Sequence, residues 1–119
     1  MKSPRVILVE DESLVALMMQ DLLTDLGCEV VASFGSLNPA LIWLERQETP
    51  PDGAVLDVNL GGELVFPLAA ALAARRVPFA FATGYGAVGD VRFECAPLLH
   101  KPVDIGKLAP IIDLFTERA

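Results

Sequence analysis

The sequence has few basic residues and no long apolar run, and each of these shortages excludes a class of protein. Nine Lys and Arg face sixteen Asp and Glu, which gives a net charge of −7 at pH 7. A chain of that charge lacks the basic surface with which proteins bind nucleic acid or anionic membranes non-specifically. No apolar run approaches the roughly 20 residues of a membrane-spanning helix. The N-terminal apolar stretch is too short for a signal peptide and runs into acidic residues, so we expect a cytoplasmic protein.

Cysteine and histidine are too scarce for a disulfide framework or a metal site of their own. The two cysteines, Cys28 and Cys95, lack CxxC spacing, and we expect both to be reduced packing residues. His100 is the only histidine. Without a second candidate it is a poor metal ligand or general base, and we assign it to the surface.

Five short apolar runs alternate with helix-like segments along the 119 residues. The runs are nearly continuous rather than alternating with polar residues, as in parallel strands covered on both faces. They span 5–9, 30–34, 54–56, 79–82 and 97–99. Parallel strands joined by helices need right-handed crossovers. We therefore predict a single α/β domain, a doubly wound five-stranded parallel sheet, (βα)5, in the flavodoxin-like order 2-1-3-4-5.

The intervening segments contain local signals of helix formation. Leu14, Met18 and Leu22 recur every four residues before Gly27, which predicts the first helix. The other signals are Asn38-Pro39 as N-cap and first helical residue, Pro67 in the first turn of an alanine-rich helix over 64–75, and Asp104 as the cap of a last helix. Pro110 lies six residues into that last helix, so we expect a kink there or a late start.

Charged and polar residues stand where the strands end, at the edge where such sheets form their sites. Strand 1 is followed by Glu10 and Asp11, strand 3 ends at Asp57, strand 4 ends at Thr83 and strand 5 is followed by Lys101. In the predicted order, strands 1 and 3 are neighbours, which places Asp11 beside Asp57. Carboxylates about 4 Å apart repel by on the order of 4 kcal/mol at an effective dielectric of about 20. A hard divalent cation such as Mg²⁺ offsets that repulsion.

A cation, a lysine and a hydroxyl around one carboxylate form a site for the three oxygens of a phosphoryl group. Asp57 is then the natural nucleophile, and its product is an aspartyl phosphate. Thr83 is placed to donate a hydrogen bond to a phosphoryl oxygen, and Gly84 leaves room beside it. Each residue alone also fits a structural role as a turn, a cap or a surface charge. Together they favour the site, because all of them fall at strand ends that the fold brings together.

Four stretches of the sequence, VILVEDE, AVLDVNL, FATG and LLHKP, resemble bacterial response-regulator receiver domains in order and over nearly the whole chain. The stretches DVNLGGE and PFAFATGYG further resemble the FAT GUY group of receivers, typically stand-alone domains in stress signalling through histidine kinases. The resemblance implies one receiver domain over 1–119 without an output domain, and a fragment of a hybrid kinase is an open alternative. It implies a sensor histidine kinase or phosphotransfer protein as phosphoryl donor, and an unknown downstream protein as second partner.

The resemblance also implies the ligands of the metal and of the phosphoryl group. Asp57 is the phosphoacceptor. Asp11 is a direct Mg²⁺ ligand, Glu10 acts through water, and Asn59 supplies its main-chain carbonyl. Lys101 contacts the phosphoryl group as Thr83 does, and the peptide bond between Lys101 and Pro102 is cis in this family.

The segment between strands 4 and 5 is rich in glycine. Within six residues it contains Gly84, Gly86 and Gly89. Each glycine costs about 1 kcal/mol in a helix relative to alanine, so we expect the helix here to be short, frayed or absent. We predict that residues 84–96 are the most mobile internal part of the domain and belong, with strand 5 and the last helix, to the partner surface.

Two positions depart from the usual receiver pattern. Gly61-Gly62 follows Asp57 where a proline is usual, and the loop is expected to be short. Leu98 stands where receivers usually have an aromatic residue. We expect Tyr85 to substitute for that aromatic when phosphorylation pulls Thr83 inward.

Two other classes of function are open. A degenerate receiver would bind partners without phosphorylation, but Asp57, Thr83 and Lys101 are all intact. A phosphatase with an aspartyl intermediate needs a second acid two residues after the nucleophile, and the sequence has Asn59 there. We therefore expect slow self-dephosphorylation and no turnover of a small substrate. The sequence also lacks the P-loop and Rossmann glycine patterns of nucleotide sites.

Overall fold

A computed structural model describes residues 3–84 and 88–118. Its strands are β1 (Arg5–Val9), β2 (Glu29–Phe34), β3 (Gly53–Asp57), β4 (Asn59–Leu60), β5 (Glu63–Leu64), β6 (Phe79–Thr83) and β7 (Leu98–His100). The helices are α1 (Ser13–Asp25), α2 (Leu37–Arg46), α3 (Phe66–Ala74) and α4 (Ile105–Arg118). Five strands form a parallel sheet in the order β2-β1-β3-β6-β7. This confirms the predicted doubly wound fold, since β6 and β7 are the fourth and fifth strands of the main sheet.

The central strands are apolar on both sides because helices cover both faces of the sheet. In β1, Ile7 and Val9 pack into one core with α2 and α3, whereas Val6 and Leu8 pack into the other with α1 and α4. All four side chains are fully buried. Within the described ranges, no helix combines the length and apolar character that a membrane-spanning segment needs.

Helix α2 begins two residues earlier than its proline signal predicted. Ser36 is the N-cap residue and Leu37 is the first helical residue, so the assignment of Asn38 as N-cap and Pro39 as first residue is wrong. Proline at the third helical position loses no intrahelical bond, because the first four N–H groups of a helix have no partner within it. Leu37 is buried, and its packing favours the earlier start.

Helix α4 passes through Pro110 without starting late. Asp104 caps it as predicted, with its Oδ1 accepting a hydrogen bond from the Gly106 N–H at 2.7 Å. The helix then runs from Ile105 to Arg118, so of the two expected alternatives, a kink at Pro110 or a late start, the late start is wrong. Its apolar side chains Leu108 and Phe115 are fully buried, and their burial stabilises the helix on both sides of the proline. Proline in the first turn of α3 is confirmed.

The connection between β6 and β7 contains only a 3₁₀ turn among its described residues, which confirms the predicted loss of a full fourth helix. The turn spans Val91–Phe93. Phe93 lies against Phe66, Phe79 and Phe81, with ring centroids 5.8–5.9 Å away. One aromatic side chain thus fills part of the sheet face that a helix would otherwise cover.

Candidate functional site

Three carboxylates meet where β1 and β3 end. β1 pairs directly with β3, and Glu10 and Asp11 follow β1 while Asp57 is the last residue of β3. Oxygen atoms of the three side chains all lie within 4.8 Å of one another. Glu10 is 5% exposed and Asp57 is 7% exposed, whereas Asp11 lies at the surface. The structure therefore confirms that Asp11 lies beside Asp57, as the sequence predicted.

Lys101 follows the edge strand β7, and its side chain reaches this acidic cluster. Its main-chain N–H donates to the Thr83 carbonyl at 2.9 Å, which extends the β6–β7 pairing by one residue. Its Nζ lies 3.1 Å from Asp57 Oδ2 and 2.5 Å from Glu10 Oε1. The contact with Asp57 was expected from the sequence, and the shorter contact with Glu10 was not.

The titration behaviour of the cluster reflects burial and shared charge. Burial raises the pKa of Asp57 to about 7, and Glu10 adds to this rise while Lys101 opposes it. Burial alone would lower the pKa of Lys101, but its hydrogen bonds to Glu10 and Asp57 hold it above its usual value. Burial also opposes ionisation of Asp11, yet contacts with Glu10 and Asp57 leave its pKa below the usual value. The oxygen donors of the cluster fit a hard divalent cation such as Mg²⁺.

An open cavity lies over Asp57 and is large enough for a phosphoryl group. Its volume is about 520 Å³, and its lining includes Asp11, Asp57, Thr83, Gly84 and Lys101. Thr83 is buried at the end of β6. The structure therefore brings together the Asp57 carboxylate, the Thr83 side chain and the Lys101 ammonium that the sequence singled out.

A small hairpin that sequence analysis missed forms one wall of the cavity. Asn59 in β4 pairs with Leu64 in β5, and its Oδ1 accepts a hydrogen bond from the Gly62 N–H at 2.6 Å. Gly61 and Gly62 have φ values of +65° and +100°. Two-residue hairpin turns require such positive φ values and favour Gly-Gly, so this dipeptide could have predicted the hairpin. Because the hairpin holds Asn59 beside Asp57, with the Asn59 N–H 3.4 Å from Asp57 Oδ1, the predicted ligand is near the site.

Two predicted switch residues, Tyr85 and Gly86, lie outside the described residues. Gly84 lines the cavity as expected. The Lys101-Pro102 peptide bond is cis, in agreement with the expectation from the family resemblance.

An apolar groove beside the site is a further feature that the sequence did not reveal. It has a volume of about 390 Å³ and extends from Lys101 between α1 and the residues before α4, lined by Val15, Met18, Leu22 and Val103. Leu14, Leu17 and Met18 are 54–70% exposed on the same helix, and of these Met18 lines the groove. The only sequence signal was the period of four in α1, which predicts a helix but not how much of its apolar side stays uncovered.

Comparison with solved structures gives a close match over the whole chain. The solution structure of SdrG from Sphingomonas melonis Fr1 is 38% identical with a TM-score of 0.82, and the match covers 98% of this chain and 99% of that one. The BeF3-activated conformation of SdrG from Pseudomonas melonis Fr1 is also 38% identical, with a TM-score of 0.77 and coverage of 96% and 98%.

A more distant match has the same fold. The Erythrobacter litoralis PhyR response regulator REC domain is 22% identical with a TM-score of 0.82, and the match covers 97% of this chain and 91% of that one. No protein-family model and no curated protein matches the chain.

Proposed function

Because the chain belongs to the response-regulator receiver family, we propose that it accepts a phosphoryl group from a phosphohistidine onto Asp57. The observation that carries this proposal is the convergence on Asp57 of an ammonium, two further carboxylates and the Thr83 hydroxyl position, at the carboxyl edge of the sheet. SdrG, which is 38% identical, has been solved in a BeF3-activated conformation, and this supports the same chemistry here.

In the proposed transfer, the protein positions the Asp57 carboxylate and stabilises the negative charge of the phosphoryl group. An Asp57 carboxylate oxygen attacks phosphorus, the O–P bond forms, and the P–N bond of the phosphohistidine breaks. The electron pair of that bond returns to the imidazole nitrogen, which takes up a proton. Lys101 stabilises negative charge on the phosphoryl oxygens, and Thr83 donates a hydrogen bond to one of them.

Mg²⁺ would be held by Asp11, Asp57 and the main-chain carbonyl of Asn59, with Glu10 acting through water. When bound, the ion supplies positive charge that neutralises the phosphoryl oxygens and the crowded carboxylates. Position 59 carries no second acid, so the domain is expected to lose its phosphoryl group slowly and to turn over no small substrate.

The exposed apolar residues of α1 support a protein as phosphoryl donor. Met18 lines the groove that leads to Lys101, and Leu14 and Leu17 are exposed on the same helix. A sensor histidine kinase or phosphotransfer protein that packs on them would bring its phosphohistidine to Asp57. The signal then leaves through protein–protein contacts with an unknown downstream partner. The FATGYG motif favours a role in stress signalling.

Phosphotransfer profiling tests this proposal. Histidine kinases and phosphotransfer proteins labelled with ³²P are mixed with the chain, and at least one is expected to pass label to the wild type and none to Asp57→Asn. Lys101→Ala is expected to bind Mg²⁺ yet respond weakly to beryllofluoride. Label on Asp57→Asn, or a normal beryllofluoride response in Lys101→Ala, would contradict the assigned roles.

A further inference from the structure

We propose that the side chain of Asn59 is a positioning group, which fixes the β4–β5 hairpin and thereby holds the Asn59 main-chain carbonyl where Mg²⁺ takes it as a ligand. The inference rests on the proposed function, because it assumes that the ion binds at this carbonyl. It concerns the Asn59 side chain, which is not itself one of the proposed ligands.

The hairpin is too small and too rich in glycine to be rigid by itself. Each of its strands has only two residues, and a two-stranded hairpin on its own is at best marginally stable in water. Its turn is Gly61-Gly62, and glycine has more backbone freedom than any other residue. A hairpin of this kind needs a further contact to have one fixed geometry.

The Asn59 side chain makes that contact across the turn. Its Oδ1 accepts a hydrogen bond from the Gly62 N–H at 2.6 Å, which we call the turn hydrogen bond. It joins the first residue of the hairpin to the second residue of its turn. Because the side chain and the main-chain carbonyl of Asn59 are attached to the same Cα, fixing the one restricts the other.

Core packing anchors the neighbours of Asn59 but not Asn59 itself. The Val65 N–H donates to the Val58 carbonyl at 3.0 Å and closes the base of the hairpin. Val58, Leu60 and Val65 are all buried, whereas Asn59 is exposed. The Asn59 side chain is therefore held by its hydrogen bond and not by burial.

The hairpin lies against two of the carboxylates that are proposed to bind the ion. The Asn59 N–H is 3.4 Å from Asp57 Oδ1, and a Cβ built at Gly61 would lie 3.7 Å from Asp11 Oδ2. Asn59, Gly61 and Gly62 also line the cavity over Asp57. A shift of the hairpin therefore moves the Asn59 carbonyl relative to both carboxylates. Removal of a group that orients a metal ligand typically weakens metal binding by about 10- to 100-fold.

Two substitutions disturb the turn hydrogen bond from opposite ends. Asn59→Ala removes the acceptor. Gly62→Ala strains the donor, because residues with a Cβ disfavour the φ of +100° that Gly62 adopts. A Cβ at Gly62 would meet no atom within 4 Å, so this change adds backbone strain without a clash.

Gly27→Ala is the matched control for that strain. Gly27 has a φ of +90° and equally open surroundings, but it follows the end of α1 that is remote from the site. Asn59→Asp is the rescue variant, since its side chain keeps an oxygen that can accept the turn hydrogen bond.

Titration with Mg²⁺, followed by amide and carbonyl ¹³C NMR, measures the affinity and the contact of the ion with the carbonyl of residue 59. Asn59→Ala and Gly62→Ala are expected to bind Mg²⁺ about tenfold more weakly than the wild type. Gly27→Ala should bind like the wild type, and Asn59→Asp at least as tightly. Without the ion, the Gly62 amide should exchange faster in Asn59→Ala than in the wild type or in Asn59→Asp.

Wild-type affinity in both Asn59→Ala and Gly62→Ala would overturn the inference and leave the proposed phosphorylation of Asp57 standing. An equal loss in Gly27→Ala would overturn it too, because strain anywhere in the chain would then suffice. Asn59→Asp as weak as Asn59→Ala would show that the acceptor oxygen is not what matters. If the wild type binds Mg²⁺ without a shift at the carbonyl of residue 59, the inference alone fails. If it binds no Mg²⁺, the inference and the metal-dependent function fail together.

Discussion

At the scale of single residues, the site combines carboxylates in very different surroundings. Asp57 is buried, with its pKa raised to about 7 mainly by loss of solvent, whereas Asp11 is exposed. A nearby cation would therefore stabilise the charged form of Asp57. Asp11 lies on the solvent side of the cluster.

The proposed metal role of Asp11 predicts a sharp contrast with its neighbour Glu12. Both carboxylates are exposed, but only Asp11 has an oxygen in the cluster with Glu10 and Asp57. Asp11→Ala should weaken Mg²⁺ binding by about tenfold or more, and Glu12→Ala should change it far less. Titration followed by amide chemical shifts measures both constants. Equal losses in the two variants would mean that Asp11 is not a ligand.

The two cysteines are predicted to differ in reactivity. Burial raises the pKa of the Cys28 thiol to about 11, and Cys95 is exposed. The thiolate is the reactive form, so iodoacetamide at about pH 8 should add to Cys95 and leave Cys28 unmodified until the protein is unfolded. Peptide mass mapping of native and denatured samples checks this. Comparable labelling of both cysteines in the native protein would show that Cys28 is not packed in the core.

At the scale of elements, close packing of α4 on β3 fixes the strand that ends in Asp57. A Cβ added at Gly53 would overlap the ring of Phe115, which is fully buried. Gly53 starts β3 and Asp57 ends it. Any shift of Phe115 therefore disturbs the helix that covers the acceptor strand.

Gly53→Ala should consequently destabilise the protein by about 1–3 kcal/mol, as is usual for overpacking of a rigid core. Gly35→Ala is the matched control, because a Cβ at that position would meet its nearest atom at an ordinary 3.8 Å. Urea unfolding of both variants gives the two free energies. A Gly53→Ala protein as stable as the wild type would show that Phe115 has room to move.

The turn before β7 is the element for which a change of state is predicted. Its hydrogen bonds are local, such as that from the Phe93 N–H to the Asp90 carbonyl at 3.1 Å, and Phe93 is its buried anchor. Amides of residues 88–96 should exchange faster than those of β6 in the resting protein and slow down on addition of beryllofluoride. Strong protection of these amides in the resting state, unchanged by activation, would contradict a role for the turn in signalling.

At the scale of the whole molecule, sheet order creates the site. The order β2-β1-β3-β6-β7 places the ends of β1 and β3 side by side, with β6 next to Asp57 and β7 beyond it. This much followed from the sequence, because continuous apolar runs and right-handed crossovers leave few possible topologies. The acidic residues, Thr83 and Lys101 were recognisable as strand-end residues for the same reason.

Features that depend on side-chain reach and packing did not follow from the sequence. The contact of Lys101 Nζ with Glu10 as well as Asp57 depends on the reach of long side chains from different strands. The start of α2 at Leu37 depends on tertiary burial, and the continuation of α4 through Pro110 depends on packing of Leu108 and Phe115. Burial of these apolar side chains outweighs the local conformational preferences of proline and asparagine, which were the only signals available in the sequence.

The central claim is that Asp57 accepts the phosphoryl group with the help of Mg²⁺, and intact-mass measurement with acetyl phosphate tests it most directly. The account predicts the mass of one added phosphoryl group on the wild type with Mg²⁺. It predicts the same on Asp113→Asn, which removes an exposed carboxylate of α4, and none on Asp57→Asn or without Mg²⁺. A phosphoryl group on Asp57→Asn, or none on the wild type under any of these conditions, would contradict it.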